Sequence, residues 1–255
     1  VPSNSFVPMI AAIFVGGAFI ATTFHFWITA IVSGVLGLAA ILYWLWTGTA
    51  VIPEKPEKDA GMGVTLPLYA SGSKSVGWWA MFITMMGDST AFASLIFSYF
   101  FYWTIQSDFP RPDAPGPGLL WPMLALGATL VAWLLMLLAR RFNSADKLSA
   151  SRLSLGVSTM LAAAGGAAAI AAPWATGLEP TRDVYDATVW VLALWVAVHN
   201  GVGVIMQLYC LARSLARKLT AVHDIDLQNV VLYWHFAALS MAVTMLVIAL
   251  FPLAT

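Results

Sequence analysis

One carboxylate stands in the middle of an otherwise uncharged apolar run: Asp88, in AMFITMMGDSTAFASLIFSYFFYW. A carboxyl group in hydrocarbon costs several kcal/mol, so it is kept where protein, lipid headgroup or water gives it a task. Thr84 lies one turn before it, and Ser89 and Thr90 follow, so hydroxyls stand within reach of the carboxyl. No Lys or Arg falls inside any of the apolar runs, and desolvation left uncompensated favours the neutral acid. Two roles follow. Asp88 is a hydrogen-bonded structural acid, or it handles protons or faces a lipid- or water-filled cleft. The sequence offers it no obvious partner on a second span.

The four histidines are His25, His199, His223 and His235. A haem or transition-metal site requires several imidazoles converging at helical spacing. Here only His199 and His235 are embedded in apolar runs, one in each of two, so no metal or haem is expected in this chain. His235, in Tyr233-Trp234-His235-Phe236, reads as an interfacial or interhelical hydrogen-bonding group. His199 stands beside Asn200, with Gln207 about two turns on, so the three read as a polar stripe satisfied across a helix contact. Gln228 is a further interhelical polar candidate. There is no nucleophile elbow, phosphate loop or carboxylate pair, and no catalytic residue is expected. The single Cys210 excludes an internal disulfide and any cysteine-rich metal site.

The elements that must position these groups are transmembrane helices. Hydrophobic residues make up 60% of the 255 and charged residues 9%, where a soluble domain carries about 25% charged. The runs are continuous, whereas barrel strands alternate. At about 20 apolar residues per span, the sequence predicts an all-α polytopic protein with seven spans near 7–24, 28–48, 77–105, 119–139, 153–175, 187–212 and 229–251. The organisation reads as a hairpin over 1–52, a polar linker over 53–76 containing Pro53, Glu54, Lys55 and Pro56, and a five-helix bundle over 77–255. Asp88 then sits ~18 Å into its span at the standard rise, near mid-bilayer.

Ten basic residues fall in the second, fourth and sixth gaps, and only Arg111 and Arg182 on the opposite side. By the positive-inside rule the N-terminus is cytoplasmic and the C-terminus periplasmic. Trp and Tyr crowd the span ends as interfacial anchors, Tyr233 and Trp234 among them. Gly16, Gly17, Gly34, Gly37, Gly165, Gly166, Gly201 and Gly203 would permit close helix approach. The Pro-rich stretch 108–118 reads as a stiff connector. Net charge is zero, which gives no electrostatic case for nucleic acid. No cleavable signal peptide is evident, and Val1 fits a processed product or a piece of a longer polypeptide.

Three segments carry a resemblance to subunit III of the haem-copper cytochrome c oxidases, closest in character to the subunit III region of bacterial forms fused to subunit I. Ser75 through Asp88 to Phe100 resembles the family's third helix, and Asp88 falls on its buried glutamate. His199-Asn200-Gly201-Val202-Gly203-Val204-Ile205 is similar to the sixth-helix His-Gly-x-His-Val-Ile. Gly201, Val204 and Ile205 align, Asn200 and Gly203 replace the two histidines, and His199 is offset by one. Tyr233-Trp234-His235-Phe236 matches the motif opening the last helix, with Gln228 where a glutamate is usual. Ala237 and Ala238 stand where the family has an aspartate nearby.

The resemblance implies a bacterial inner-membrane accessory subunit without a redox centre. It implies a two-helix unit and a five-helix unit around a V-shaped cleft of structural phospholipids, lined or approached by Asp88, Thr84, Tyr233, Trp234 and His235. Haem and copper would reside in partner subunits I and II, with cytochrome c as donor and subunit I separate or fused. The implied role is support of proton uptake, oxygen access and turnover stability in aerobic respiration. A subunit III-like component of a quinol oxidase or nitric oxide reductase is the neighbouring reading. A small proton-coupled transporter built around Asp88 is the alternative of a different class.

Overall fold

A long apolar chain in lipid must satisfy its backbone N–H and C=O groups internally, and continuous helices do so. The computed structural model describes residues 5–48, 57–110 and 114–254, and these are overwhelmingly helical. The predicted Pro53, Glu54, Lys55 and Pro56 of the linker and Arg111 of the Pro-rich loop lie outside the described residues. The chain divides into two compact units, Val1–Leu68 and Tyr69–Thr255.

In the first unit α1 (Val7–Thr23) and α2 (Trp27–Gly48) pack as an antiparallel hairpin. The turn is closed by Phe26 N–H to the Ala21 carbonyl at 2.8 Å and His25 N–H to that of Thr22 at 3.1 Å. His25 takes the left-handed conformation this cap requires, at φ 62°. The linker is not featureless. β1 (Glu57–Gly61) and β2 (Val64–Pro67) pair as an antiparallel hairpin, Glu57 opposite Pro67, around a turn that holds Gly61 and Gly63.

The second unit holds α3 (Val76–Ile105), α4 (Leu120–Ser144), α5 (Leu148–Ala175), α6 (Val184–Leu215) and α7 (Ile225–Met245). The last helix widens to a π turn at Leu246–Leu250 and closes with α8 (Phe251–Ala254). Packing runs α4 on α5, α5 on α6, α6 on α7 and α7 back on α4, a ring of four with α3 against α6 and α7.

One end of this unit is fixed by polar bonds. Ile225 N–H donates to the Tyr69 hydroxyl at 2.8 Å, Asn143 Nδ2 to the Thr220 carbonyl at 3.0 Å, and Arg152 Nε to Ser214 Oγ at 3.0 Å. These bonds bring together the start of α3, the α4–α5 turn and the α6–α7 turn. Lys74, Arg140, Arg141, Lys147, Arg152, Arg213, Arg217 and Lys218 gather at this end, and Arg182 lies at the other.

Among the described residues six helices are long and apolar enough to cross a membrane: α2 to α6 and the composite Ile225–Leu253. The protein is therefore a multi-pass helical membrane protein. The seventh predicted span, α1, has 17 residues and is shorter than these. Several helices outrun their apolar stretches. α6 reaches Leu215 and α7 starts at Ile225, so each helix ends in a polar turn where Arg213 and Asp226 pair at 3.0 Å. Because α7 begins four residues before the predicted 229, Tyr233 and Trp234 lie two turns inside it. They are 3% and 0% exposed, packed among helices and not standing at the interface as anchors.

The predicted glycine contacts divide. A Cβ on Gly165 would stand 2.5 Å from Thr129 Oγ1, one on Gly203 2.7 Å from Trp234 Cζ2, and one on Gly37 3.2 Å from Val15 Cγ2. Gly16, Gly34 and Gly201 meet nothing within 4 Å, so only some of the small residues buy helix approach.

Candidate functional site

Asp88 has a partner on a second helix. Its Oδ2 lies 3.8 Å from Nε2 of His199 on α6, and the two side chains are 35% and 13% exposed. This corrects the expectation of an unpartnered acid. It also corrects the expected hydroxyl ligands: Thr84 donates to the Ala80 carbonyl at 2.9 Å, Ser89 to Met85 at 2.7 Å and Thr90 to Met86 at 3.0 Å. Each hydroxyl is satisfied a turn back along its own helix, as hydroxyls in apolar helices commonly are. The His199 imidazole faces the carboxyl.

The ring of His199 is held on every side. Nδ1 lies 2.7 Å from the Trp195 carbonyl. A carbonyl only accepts, so Nδ1 carries a proton and Nε2 is the nitrogen turned toward Asp88. The indole of Trp195 lies tilted against it at 4.3 Å, Phe236 meets the ring edge-on at 5.3 Å, and Tyr233 lies near-parallel at 6.4 Å. Tyr233 also donates its hydroxyl to the His199 carbonyl at 2.7 Å, tying α7 to α6 at the site.

This arrangement has two electrically neutral states. Either the carboxylic acid faces a neutral Nε2, or a carboxylate faces an imidazolium, and a single proton separates them. The 3.8 Å gap is longer than a direct hydrogen bond. A cavity of about 210 Å³ adjoins the pair, bounded by Thr84, Asp88, His199, Val202 and Tyr233 together with methionine side chains. Chemically, the site can hold a proton and pass it between α3 and α6.

The other predicted residues are placed apart from it. His199 does not share a stripe with Asn200 and Gln207. Successive helical residues are turned about 100° apart, and Asn200 and Gln207 face α4 and α5. Asn200 Nδ2 donates to Thr129 Oγ1 at 2.9 Å and to the Ala162 carbonyl at 3.2 Å. Gln207 Nε2 donates to Ser158 Oγ at 2.7 Å. Both are 1% exposed or less and join helices within the ring.

His235 points the other way from the cavity, accepting at Nδ1 from Trp133 Nε1 on α4 at 2.9 Å. Trp234, grouped with the cleft by sequence, is buried against Gly203. Of the Tyr-Trp-His-Phe motif, Tyr233 and Phe236 attend His199, one turn apart on α7. Gln228 bonds Ser71 Oγ at 2.7 Å and Asp224 Oδ1 at 2.8 Å, so it fastens the segment before α3 and spans no helix pair in the bundle interior.

At the Tyr69 end, burial raises the phenol above the ordinary tyrosine value, opposed by the bond from Ile225 and one with Ser71. At the opposite end of the bundle a larger cavity, about 550 Å³, opens between α3 and α6. Leu95, Val191 and Leu192 form its apolar wall, and Thr181 and Asp183 its polar rim. Among the described residues no group of three or more His, Cys, Asp or Glu is gathered for a metal. Compared with known proteins, the chain matches no family model, and no curated protein matches it significantly.

Proposed function

We propose that the chain is a non-catalytic accessory subunit, of the subunit III type, in a haem-copper cytochrome c oxidase. The observation that carries this reading is a convergence. The three segments that resemble the family lie more than a hundred residues apart at the extreme, yet Asp88, His199 and Tyr233 line one cavity. Residues that merely shared composition with the family would have no reason to meet.

On this reading the chain crosses the bacterial inner membrane seven times as two plus five helices. α1 is the seventh span: 17 residues is the short end of the spanning range, and α1 returns antiparallel along α2. The basic end of the bundle faces the cytoplasm, which puts the N-terminus inside and the C-terminus in the periplasm. Phospholipids fill the cleft implied for the family, and the 550 Å³ cavity would take an acyl chain along Leu95 and Val191. Haem and copper belong to subunits I and II, and cytochrome c supplies electrons. The Asp88–His199 pair stores or relays a proton in support of uptake by the partner. The α1–α2 hairpin favours the cytochrome c type over quinol oxidase or nitric oxide reductase relatives, which usually have five helices.

Purification from native membranes in mild detergent tests the proposal. Haem absorbance with a stoichiometric large partner supports it. A second reading, a small proton-coupled transporter, is favoured by the Asp88–His199 pairing, because a transporter needs partners on two helices. A stable, colourless homo-oligomer that moves protons into liposomes would establish that reading in its place.

A further inference from the structure

The β1–β2 hairpin sorts its side chains by kind. Directly opposite residues of an antiparallel pair share a face, and the faces alternate along each strand. Lys58 lies opposite Leu66 and Gly61 opposite Val64, so Lys58, Val64 and Leu66 share one face. Leu68, the next alternate residue, continues it just past the strand. Glu57 opposite Pro67 and Asp59 opposite Thr65 make the other face. One face is therefore apolar with a single cation, and the other holds both carboxylates. Val64, Leu66 and Leu68 are all exposed, and Met62 stands fully exposed at the tip between Gly61 and Gly63. A lone two-stranded hairpin is marginal in water, and this one has a bare apolar face to cover.

We infer that the apolar face of this hairpin docks on the bilayer surface, with Lys58 against anionic phospholipid headgroups and Glu57 and Asp59 turned to water. Chain continuity is the first argument for this occupant. The hairpin stands between two spans, α2 ending at Gly48 and α3 starting at Val76, so both of its ends are tethered at one membrane surface. Leu68 is bonded to Tyr69, whose hydroxyl is fixed to the start of α7 by the Ile225 N–H. Trp78 and Trp79 open α3, and Trp79 Nε1 donates to the Ser73 carbonyl at 2.9 Å. Tryptophans at a span end mark the headgroup level, so β2 leads directly into it. Such tethering raises the effective concentration at the surface, and a small face then suffices. Charge is the second argument. An anionic leaflet attracts Lys58 and repels the two acids, and the orientation that satisfies both also covers Val64 and Leu66. The edges of the hairpin disfavour a partner strand instead. β2 has four residues and ends in Pro67, which lacks an N–H, while β1 carries Glu57, Lys58 and Asp59 and is bulged between Asp59 and Gly61.

The alternative is a hairpin that stays solvated as a plain connector. The full chain with one added thiol, Val64→Cys, Thr65→Cys or Leu66→Cys, is spin-labelled and placed in nanodiscs of phosphatidylcholine with phosphatidylglycerol. The native Cys210 is buried, which leaves the label to the added thiol. Oxygen concentrates in lipid and an uncharged nickel chelate in water, so the ratio of their collision rates reads depth. Oxygen-dominated collisions at Val64 and Leu66 and nickel-dominated collisions at Thr65 are expected. All three sites are exposed, so the helices should fold unchanged, and the alternation itself reports an intact hairpin. Lys58→Gln, added to the Leu66→Cys chain, should lower the docked-to-free ratio about fivefold, the share of one lysine near an anionic surface. Nanodiscs of phosphatidylcholine alone should lower it similarly. Equal nickel access at Thr65 and Leu66 in the anionic nanodiscs would overturn the inference, as would a ratio that Lys58→Gln leaves unchanged. Protection of Leu66 that arises only in the native assembly, and not in lipid, would assign the face to a protein and overturn it too. The readout needs no oxidase partner, so its outcome is separate from that of the accessory-subunit proposal.

Discussion

Replacing Gly203 with alanine adds one methyl group at a contact between α6 and α7 that has no room for it. The added carbon would stand 2.7 Å from Trp234 Cζ2 and 3.0 Å from Cε2. Carbon atoms settle at about 3.5–4.0 Å, so the overlap is roughly 1 Å. The indole cannot retreat: Trp234 is 0% exposed, and its ring is rigid. Either the helices part or the ring leaves its rotamer, and overpacking of this kind costs about 1–3 kcal/mol. Gly→Ala in a helix also gains about 0.5–1 kcal/mol of backbone entropy. Gly201→Ala, two residues away with nothing within 4 Å, collects that gain alone. The difference between the two variants therefore isolates the packing term, and Gly203→Ala should be the less stable by about 1–3 kcal/mol. Reversible unfolding in mixed micelles, followed by far-UV circular dichroism and tryptophan fluorescence, measures it. Tyr233 crosses the same helix pair with its 2.7 Å bond to His199, so parting the helices should also disturb the Asp88 cavity. A Gly203→Ala variant as stable as Gly201→Ala would refute the packing argument.

Three further outcomes are expected. In the assembled complex, Asp88→Ala should leave assembly largely intact while changing the proton-uptake rate or inactivation during turnover; unchanged activity, inactivation and pumping would remove the case for Asp88. Asp146 caps α4 in the left-handed conformation at φ 60°, where a side chain costs about 1 kcal/mol, so Asp146→Gly should stabilise by about 0.5–1 kcal/mol in the unfolding assay; no gain would count against the cap. Tyr69→Phe leaves the half-buried Ile225 N–H without its partner and should cost about 1 kcal/mol at neutral pH. Burial raises the Tyr69 phenol, so its contribution is fully present below the ordinary value of 10.0 and is lost as pH rises through the higher folded value. Stability measured up to and beyond that range should therefore decline less steeply in Tyr69→Phe than in the wild type, and identical declines would contradict the assignment.

Apolar run length located the helices well, because a bilayer leaves the backbone few alternatives to a helix. It misjudged their ends, since α4, α5, α6 and α7 continue into polar turns where Arg152, Arg213 and Asp226 find partners. The β1–β2 hairpin was hidden by the charge of its strand residues, although Gly61 and Gly63 flanking Met62 are a turn signal. Asp88 stood out as an acid within an apolar span from its position alone. Its pairing with His199 did not, because run length and spacing say nothing about which two of five helices adjoin. The same ignorance put Asn200 and Gln207 on His199's face, where a 100° rotation per residue would have separated His199 from Asn200.

The central claim is that a helical bundle carrying a proton-sharing acid and imidazole serves a haem-bearing neighbour. A density map of the native assembly at side-chain resolution tests it most directly. The account predicts a large haem-containing subunit seated against this chain, elongated lipid density along α3, and Asp88 facing His199. A map showing copies of this chain associated only with one another, with no haem protein beside them, would contradict it.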